Sequence, residues 1–414
     1  MKQKSTYSKN AIIAVCALVY FVSYFARKDF AAVMLKMISE GVITDSLGGL
    51  IGTGLFIAYG IGQLISGYLG DKLPPRVLLV FGLTVTALAN IAMPFISEPY
   101  LFVIVWAANG FAQAMLWPPI VRILAENLDR ESYVTGNLIV TSAAHVSTII
   151  LYIYAPLCFV YSGWEAVFIS ASVLSVFAII AFILALVFFL PKDTLPLAPM
   201  DYRSKDGGLF KILLQSGILQ VFCAIVAMGF LRDGIESWLP TLYAAAFNRP
   251  AEESTLLSAI LPVFSILSVV AIKILHKTKT FANETRGAAI LFAISAILCV
   301  PLVFLVNASG TVAQILSLIL AALVCACMHA CNFLYISCLP GRFAYIGKSA
   351  TTSGFCNAFT YVGAAAAAYG FAVISSSFGW SVTIGVWGVV AVIGAAFSMW
   401  AGVRYTSFIQ NGRG

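Results

Sequence analysis

Apolar runs of about twenty residues, parted by short polar joints, recur from one end of the chain to the other. A helix rises about 1.5 Å per residue, so such a run matches a bilayer core about 30 Å thick. Twelve can be placed, at about 10–38, 47–70, 75–96, 99–127, 132–161, 164–190, 210–246, 254–276, 284–306, 310–338, 347–377 and 380–406. They predict an all-α membrane protein with twelve transmembrane helices. The pattern lapses once at length, at PKDTLPLAPMDYRSKDGG. Proline, glycine and charge crowd together there and read as a linker. The expected organisation is a six-helix bundle over residues 1–190, a linker over 191–209 and a second six-helix bundle over 210–414.

Charges interrupt the pattern in two places. The first segment contains YFARKDF, with Arg27, Lys28 and Asp29 in its middle. The seventh contains Arg232 with Asp233 and Glu236. Each arginine opens its half of the chain at a similar depth, about 11 to 14 residues from the outer end, or roughly 17–21 Å. The repetition predicts two pseudo-symmetric bundles. An ionised side chain at the bilayer centre costs several kcal/mol, so it faces a partner, a ligand or a water-filled cavity.

Other polar residues fall into stripes at helical spacing. Tyr20, Tyr24 and Arg27 share one face of the first segment. Asn109, Gln113 and Trp117 share one face of the fourth. Asn137, Thr141, His145 and Thr148 do so on the fifth, and Asn357 and Tyr361 on the eleventh. They predict a polar chamber lined by both halves. Buried polar residues that only join neighbouring helices would give the same pattern. Two arginines offering paired donors suit an oxyanion such as carboxylate or phosphate. His145 would add a donor, and Lys28, about 100° around the helix, is expected to pair with an acid such as Asp29. Glu236, four residues after Arg232, is placed to pair with it.

Composition agrees with the pattern. Of 414 residues, 61% are hydrophobic and 10% charged, against about 45–50% and about 25% in soluble proteins. The nine cysteines lie in apolar segments, so a disulfide framework is not expected. Cys325, Cys327, Cys331 and His329 share one segment; helix packing is the favoured reading over a metal site. The net charge of +7 is scattered over short joints, unlike a nucleic-acid footprint. Of the 24 Lys and Arg, 19 fall on the side shared by the termini and the linker. That bias predicts cytoplasmic termini. The opening MKQKSTYSK is expected to precede a retained first helix rather than a cleaved signal.

Several stretches carry a family resemblance: YFARKDF in helix 1, NGFAQAMLWPP with Arg122 in helix 4, AAHVS in helix 5, GWEAVF at the start of helix 6, FLRDGIESWLPTLY in helix 7 and GFCNAFTYVGA in helix 11. Together they resemble the organophosphate:phosphate antiporters of the major facilitator superfamily, which include glycerol-3-phosphate and hexose-phosphate transporters. GYLGDKLPPR between helices 2 and 3 is general to the superfamily. The resemblance implies that Arg27 and Arg232 match the family's phosphate-binding pair and His145 its helix 5 histidine. Asp71 and Arg122 match a cytoplasmic gate between helices 2 and 4. The family commonly has a lysine after a Tyr-Gly pair in helix 2; here Tyr59-Gly60-Ile61-Gly62 is followed by Gln63. With Asp233 and Glu236 added, the chamber is less positive than the family's.

The expected function is a secondary transporter that exchanges a phosphorylated organic anion for inorganic phosphate by alternating access. Two alternatives remain open. One is a proton-coupled organic-anion transporter, with Asp29, Asp233 or Glu236 titrating. The other is a non-transporting sugar-phosphate sensor. No HExxH, GxSxG or P-loop is present, so an enzyme is not expected. Nor is a cofactor, a metal or nucleic acid. The expected partners are a small anion and the lipid bilayer. The chain is expected to act as a monomer in a bacterial inner membrane.

Overall fold

A computed structural model describes residues 6–188, 218–278, 280–340 and 349–408. The chain is helical throughout these residues. In order come α1 (Thr6–Ser39), α2 (Asp45–Lys72), α3 (Pro75–Ala92), α4 (Pro99–Gln113), α5 (Trp117–Asn127), α6 (Arg130–Tyr161) and α7 (Glu165–Phe188). Then follow α8 (Ile218–Phe247), α9 (Ala251–Leu257), α10 (Ile260–Leu275), α11 (Glu284–Leu305), α12 (Thr311–Asn332) and α13 (Ser349–Phe408).

Among the described residues, ten stretches are long and apolar enough to cross a membrane. Gly354–Tyr405 holds 52 residues and contains two crossings, because the helix breaks at Gly379. Gly379 has φ of +82°, a backbone state that disfavours any side chain. The charge-bearing α8 adds the remaining crossing, at 30 residues. Twelve crossings therefore stand where twelve apolar runs predicted them. Large apolar side chains such as Leu88, Ile104, Val173 and Val403 point outward, as a lipid-facing surface requires. The chain is an integral membrane protein.

Three crossings are less regular than the sequence pattern suggested. The fourth is α4 and α5, separated by a turn before Trp117-Pro118-Pro119. Consecutive prolines remove helix donors and push the preceding residue away from helical geometry. The eighth is α9 and α10. The tenth ends in a π-helical stretch, Phe333–Cys338, a form often found at functional positions.

Backbone packing divides the chain into two compact units: Met1–Ile43 with Gly54–Met200, and Thr44–Thr53 with Asp201–Gly414. The first unit has an apolar core drawn from α1, α3, α5, α6 and α7, including Val19, Leu83, Ile120, Val140 and Phe182. In the second unit, α8 and the first limb of α13 meet backbone to backbone. A Cβ on Gly229 would lie 2.0 Å from the Thr360 carbonyl, and one on Gly363 equally close to that of Val226. Only glycine allows this approach.

Candidate functional site

In the first unit the site is built around Arg27 on α1. Its guanidinium lies over the Tyr24 ring at 4.2 Å and the Tyr59 ring at 5.0 Å. Tyr20, one turn before Tyr24, packs edge-on to it at 4.9 Å and meets Trp117 at 4.8 Å. The Pro118-Pro119 break sets Trp117 at the first turn of α5. Cation–π contact takes the flat face of a guanidinium, while its N–H donors lie in the plane. The stripe of Tyr20, Tyr24 and Arg27 is therefore present, with Tyr59 added from α2. Sequence reasoning noted Tyr59 only as a marker of helix 2; a large polar ring among the glycines of that helix was the available signal.

Beneath Arg27, buried amides sew three helices together. Asn90 on α3 and Asn109 on α4 both donate from Nδ2 to the Ala26 carbonyl, at 3.1 and 3.0 Å. Ser23 donates to Gln113 Oε1 at 2.6 Å, and Gln113 Nε2 donates to Thr86 Oγ1 at 3.2 Å. Gln113 is only 1% exposed. Its amide joins α1, α3 and α4. Such bonds are how polar residues join helices inside a membrane. They also fix the height and rotation of the α1 turn that carries Arg27.

The two residues after Arg27 are also buried. Asp29 is fully buried, and its Oδ1 accepts from the Phe30 N–H at 2.8 Å. That bond to the backbone stands where pairing with Lys28 was expected. Lys28 is itself buried. His145 is half-buried on α6. Two residues on, Ser147 donates to the Phe21 carbonyl at 2.7 Å and locks α6 to α1.

In the second unit Arg232 is held by polar partners. Its Nη2 donates to Asp233 Oδ2 at 2.7 Å, and its Nη1 to Asn332 Oδ1 at 2.6 Å. Glu236 instead meets His329, with Oε1 and Nε2 2.6 Å apart. The predicted Arg232–Glu236 pair is thus replaced by two crossed pairs. Asp233 is near enough to reach Arg232 directly, and α12 supplies the competing partner for Glu236. Glu236 and Tyr361 still lie within electrostatic reach of Arg232. Asn357 sits half-buried one turn before Tyr361. Asn332 is the last residue of α12 before the π-helical stretch. Pro240 lies within α8 and has no N–H for the Glu236 carbonyl four residues back.

At the predicted gate, Arg122 Nε donates to Glu126 Oε1 at 2.7 Å, and its Nη1 to the Leu73 carbonyl at 3.4 Å. The side chain of Asp71 lies outside the described residues. Lys9 and Asp129 form an ion pair on the same unit. The Lys9 ammonium, with Ser132 behind it, holds the Asp129 carboxyl well below its ordinary range.

The chain resembles several proteins of known kind. It is 28% identical over 165 residues to a probable hexose phosphate transport protein of Chlamydia trachomatis, covering 40% of this chain and 36% of that one. It is 28% identical over 160 residues to the membrane sensor protein UhpC of Escherichia coli, covering 39% and 36%. The chain thus spans little more than a third of the length of these curated relatives. In fold, it superposes with a TM-score of 0.76 on a bacterial homologue of the human lysosomal transporter Spinster. That likeness covers 98% of this chain and 99% of the other at 14% identity. Residues 16–350 match the family model described as Major Facilitator Superfamily. Helical crossings, a whole-chain likeness in fold and a matched stretch that begins in α1 and ends in α13 place this chain in the Major Facilitator Superfamily.

Proposed function

We propose that the chain is a secondary carrier for a phosphorylated organic anion of the sugar phosphate or glycerol phosphate class. It exchanges that anion for inorganic phosphate by alternating access. The reading rests on one observation above all: Arg27, deep in a membrane crossing, is steadied by two tyrosine faces. Stacking on two rings steadies a permanent cation, and the edge of a guanidinium matches a phosphate edge. Arg232 provides the matching cation of the seventh crossing. The similarity to a hexose phosphate transport protein supports the choice of phosphate over carboxylate. Both termini face the cytoplasm of a bacterial inner membrane, and the monomer is the working form.

Exchange follows from electrostatics. Bringing cationic groups together in a medium of low dielectric is unfavourable. A bound phosphate dianion reverses the sign. The loaded carrier then crosses more easily than the empty one, and flux in one direction requires return cargo.

The test uses purified protein in liposomes loaded with inorganic phosphate. External sugar or glycerol phosphate should enter, and omitting internal phosphate should suppress entry. Equal uptake into empty liposomes would overturn exchange. A second reading, proton coupling, is favoured by the Glu236–His329 pair. Uptake that collapses with a protonophore, and ignores internal phosphate, selects it. Saturable binding of sugar phosphate with no flux in either assay selects a sensor, the described role of the UhpC relative.

A further inference from the structure

Cys325 and His329 lie four residues apart on α12, so they share one face of that helix. Opposite them on α8 stands Glu236. The sulfur, a ring nitrogen and a carboxylate oxygen of these three residues all lie within 4.8 Å of one another. Cys325 is fully buried, and the side chains of His329 and Glu236 are 11% and 16% exposed. The other cysteines of the segment turn elsewhere. The Cys331 sulfur lies 3.8 Å from the Ala288 carbonyl on α11, and Cys327 faces Ser295 on the same helix.

The local charge favours a cation. Arg232 is paired with Asp233 at 2.7 Å, and Glu236 brings a second carboxylate within electrostatic reach of the same guanidinium. Without a metal, Glu236 and His329 hold one another at 2.6 Å. Cys325 has a long sulfur contact of 3.9 Å to the Arg232 carbonyl, and sulfur is a poor hydrogen-bond donor. Tetrahedral zinc has bonds of about 2.0–2.3 Å, so its ligand atoms stand roughly 3.3–3.8 Å apart. Shifts of about 1 Å, with the Glu236–His329 contact opening, would meet that geometry.

We propose that Glu236, Cys325 and His329 form a binding site for a borderline-soft divalent metal ion of the zinc class. The metal takes Nε2 of His329, a carboxylate oxygen of Glu236 and the thiolate of Cys325. The thiol proton leaves to solvent on binding, which balances the two positive charges with two negative ligands. A water or an anionic oxygen takes the fourth position. Binding ties α8 to α12 beside Arg232 and replaces the Glu236–His329 hydrogen bond.

The test is titration of the purified full chain with Zn²⁺ and Co²⁺. One ion should bind per chain, and the cobalt form should show thiolate-to-metal charge-transfer absorption. Cys325→Ser should abolish that absorption, and Glu236→Gln and His329→Gln should each weaken binding by about tenfold or more. Cys327→Ser should change neither. Zn²⁺ should also raise the thermal midpoint of the unaltered chain. A cobalt spectrum without the thiolate band overturns the proposal, as does binding that all three ligand variants leave intact. The spectrum of the unaltered chain decides the matter even if one variant fails to fold.

Discussion

Arg27 and Arg232 occupy corresponding crossings of their units, yet opposite chemistry holds them. Arg27 lies against the faces of Tyr24 and Tyr59. Arg232 is gripped at both terminal nitrogens, by Asp233 and Asn332. A ring steadies a guanidinium through its flat side and adds no formal charge. A carboxylate steadies it through its donors and cancels the charge at the same time. The rings add no charge beside Arg27, whereas at Arg232 an incoming anion has to compete with the Asp233 carboxylate. Two arginines that look equivalent in the sequence therefore sit in different polar surroundings.

The largest expected effects come from removing each charge. Arg27→Gln should weaken phosphate-ester binding about a hundredfold, since losing one side of a desolvated charge pair costs about 2–5 kcal/mol. Arg232→Gln should also be severe, because it strands Asp233 as a carboxylate facing an anion. Adding Asp233→Asn to that variant should recover about tenfold in affinity, or about 1.4 kcal/mol. Binding isotherms measure all three, and no recovery in the double variant would break the contrast. Asp233→Asn alone should raise phosphate affinity severalfold, about 1 kcal/mol. It should also make exchange stricter, because the empty carrier then encloses a fuller positive charge. Efflux into phosphate-free medium should fall; a rise would contradict the neutralising role of Asp233.

A smaller effect is expected at the ring. Tyr59→Leu should lower affinity by a few-fold to about thirtyfold, the range of a cation–π contact of about 0.5–2 kcal/mol. Tyr59→Phe keeps the ring and should stay within about twofold of the unaltered chain. Equal losses in both would assign Tyr59 a hydroxyl role instead.

The smallest effect serves as a control away from both arginines. Asp129 has its carboxyl lowered by Lys9, so its contribution to stability is present above the ordinary aspartate range. It is lost as pH falls through the lowered value. Asp129→Asn should reduce the thermal midpoint slightly at neutral pH, and the difference should vanish in strong acid. Phosphate affinity should not change.

Much of the fold was legible in the sequence because a bilayer demands length. Twelve apolar runs became twelve crossings, since no shorter run can satisfy its backbone within lipid. What escaped was local. The break before Trp117 was encoded in Pro118 and Pro119, but the apolar pattern runs through it. The stretch after Asn332 gave no signal, because π-helical geometry carries no periodicity of its own. Within the site, depth and face placed Arg27 beside Tyr24. Partner choice did not follow from spacing. Glu236 is at the right interval for Arg232, yet His329, almost a hundred residues later, takes its oxygen. Gln113 has the stripe of a lining residue, and its amide also ties α1, α3 and α4 together. A stripe fixes direction around a helix, whereas only packing decides whether that direction ends in water or in a neighbour.

Gly229 precedes Arg232 by three residues, and Gly363 follows Tyr361 by two. With bare main chain on both sides of their contact, α8 and the first limb of α13 have no side-chain cushion to compress. Packing this close is expected to make them move as one plate that carries Arg232, Tyr361 and Asn357 together. Room for cargo of different size would then come from other elements, such as the π-helical stretch that follows α12.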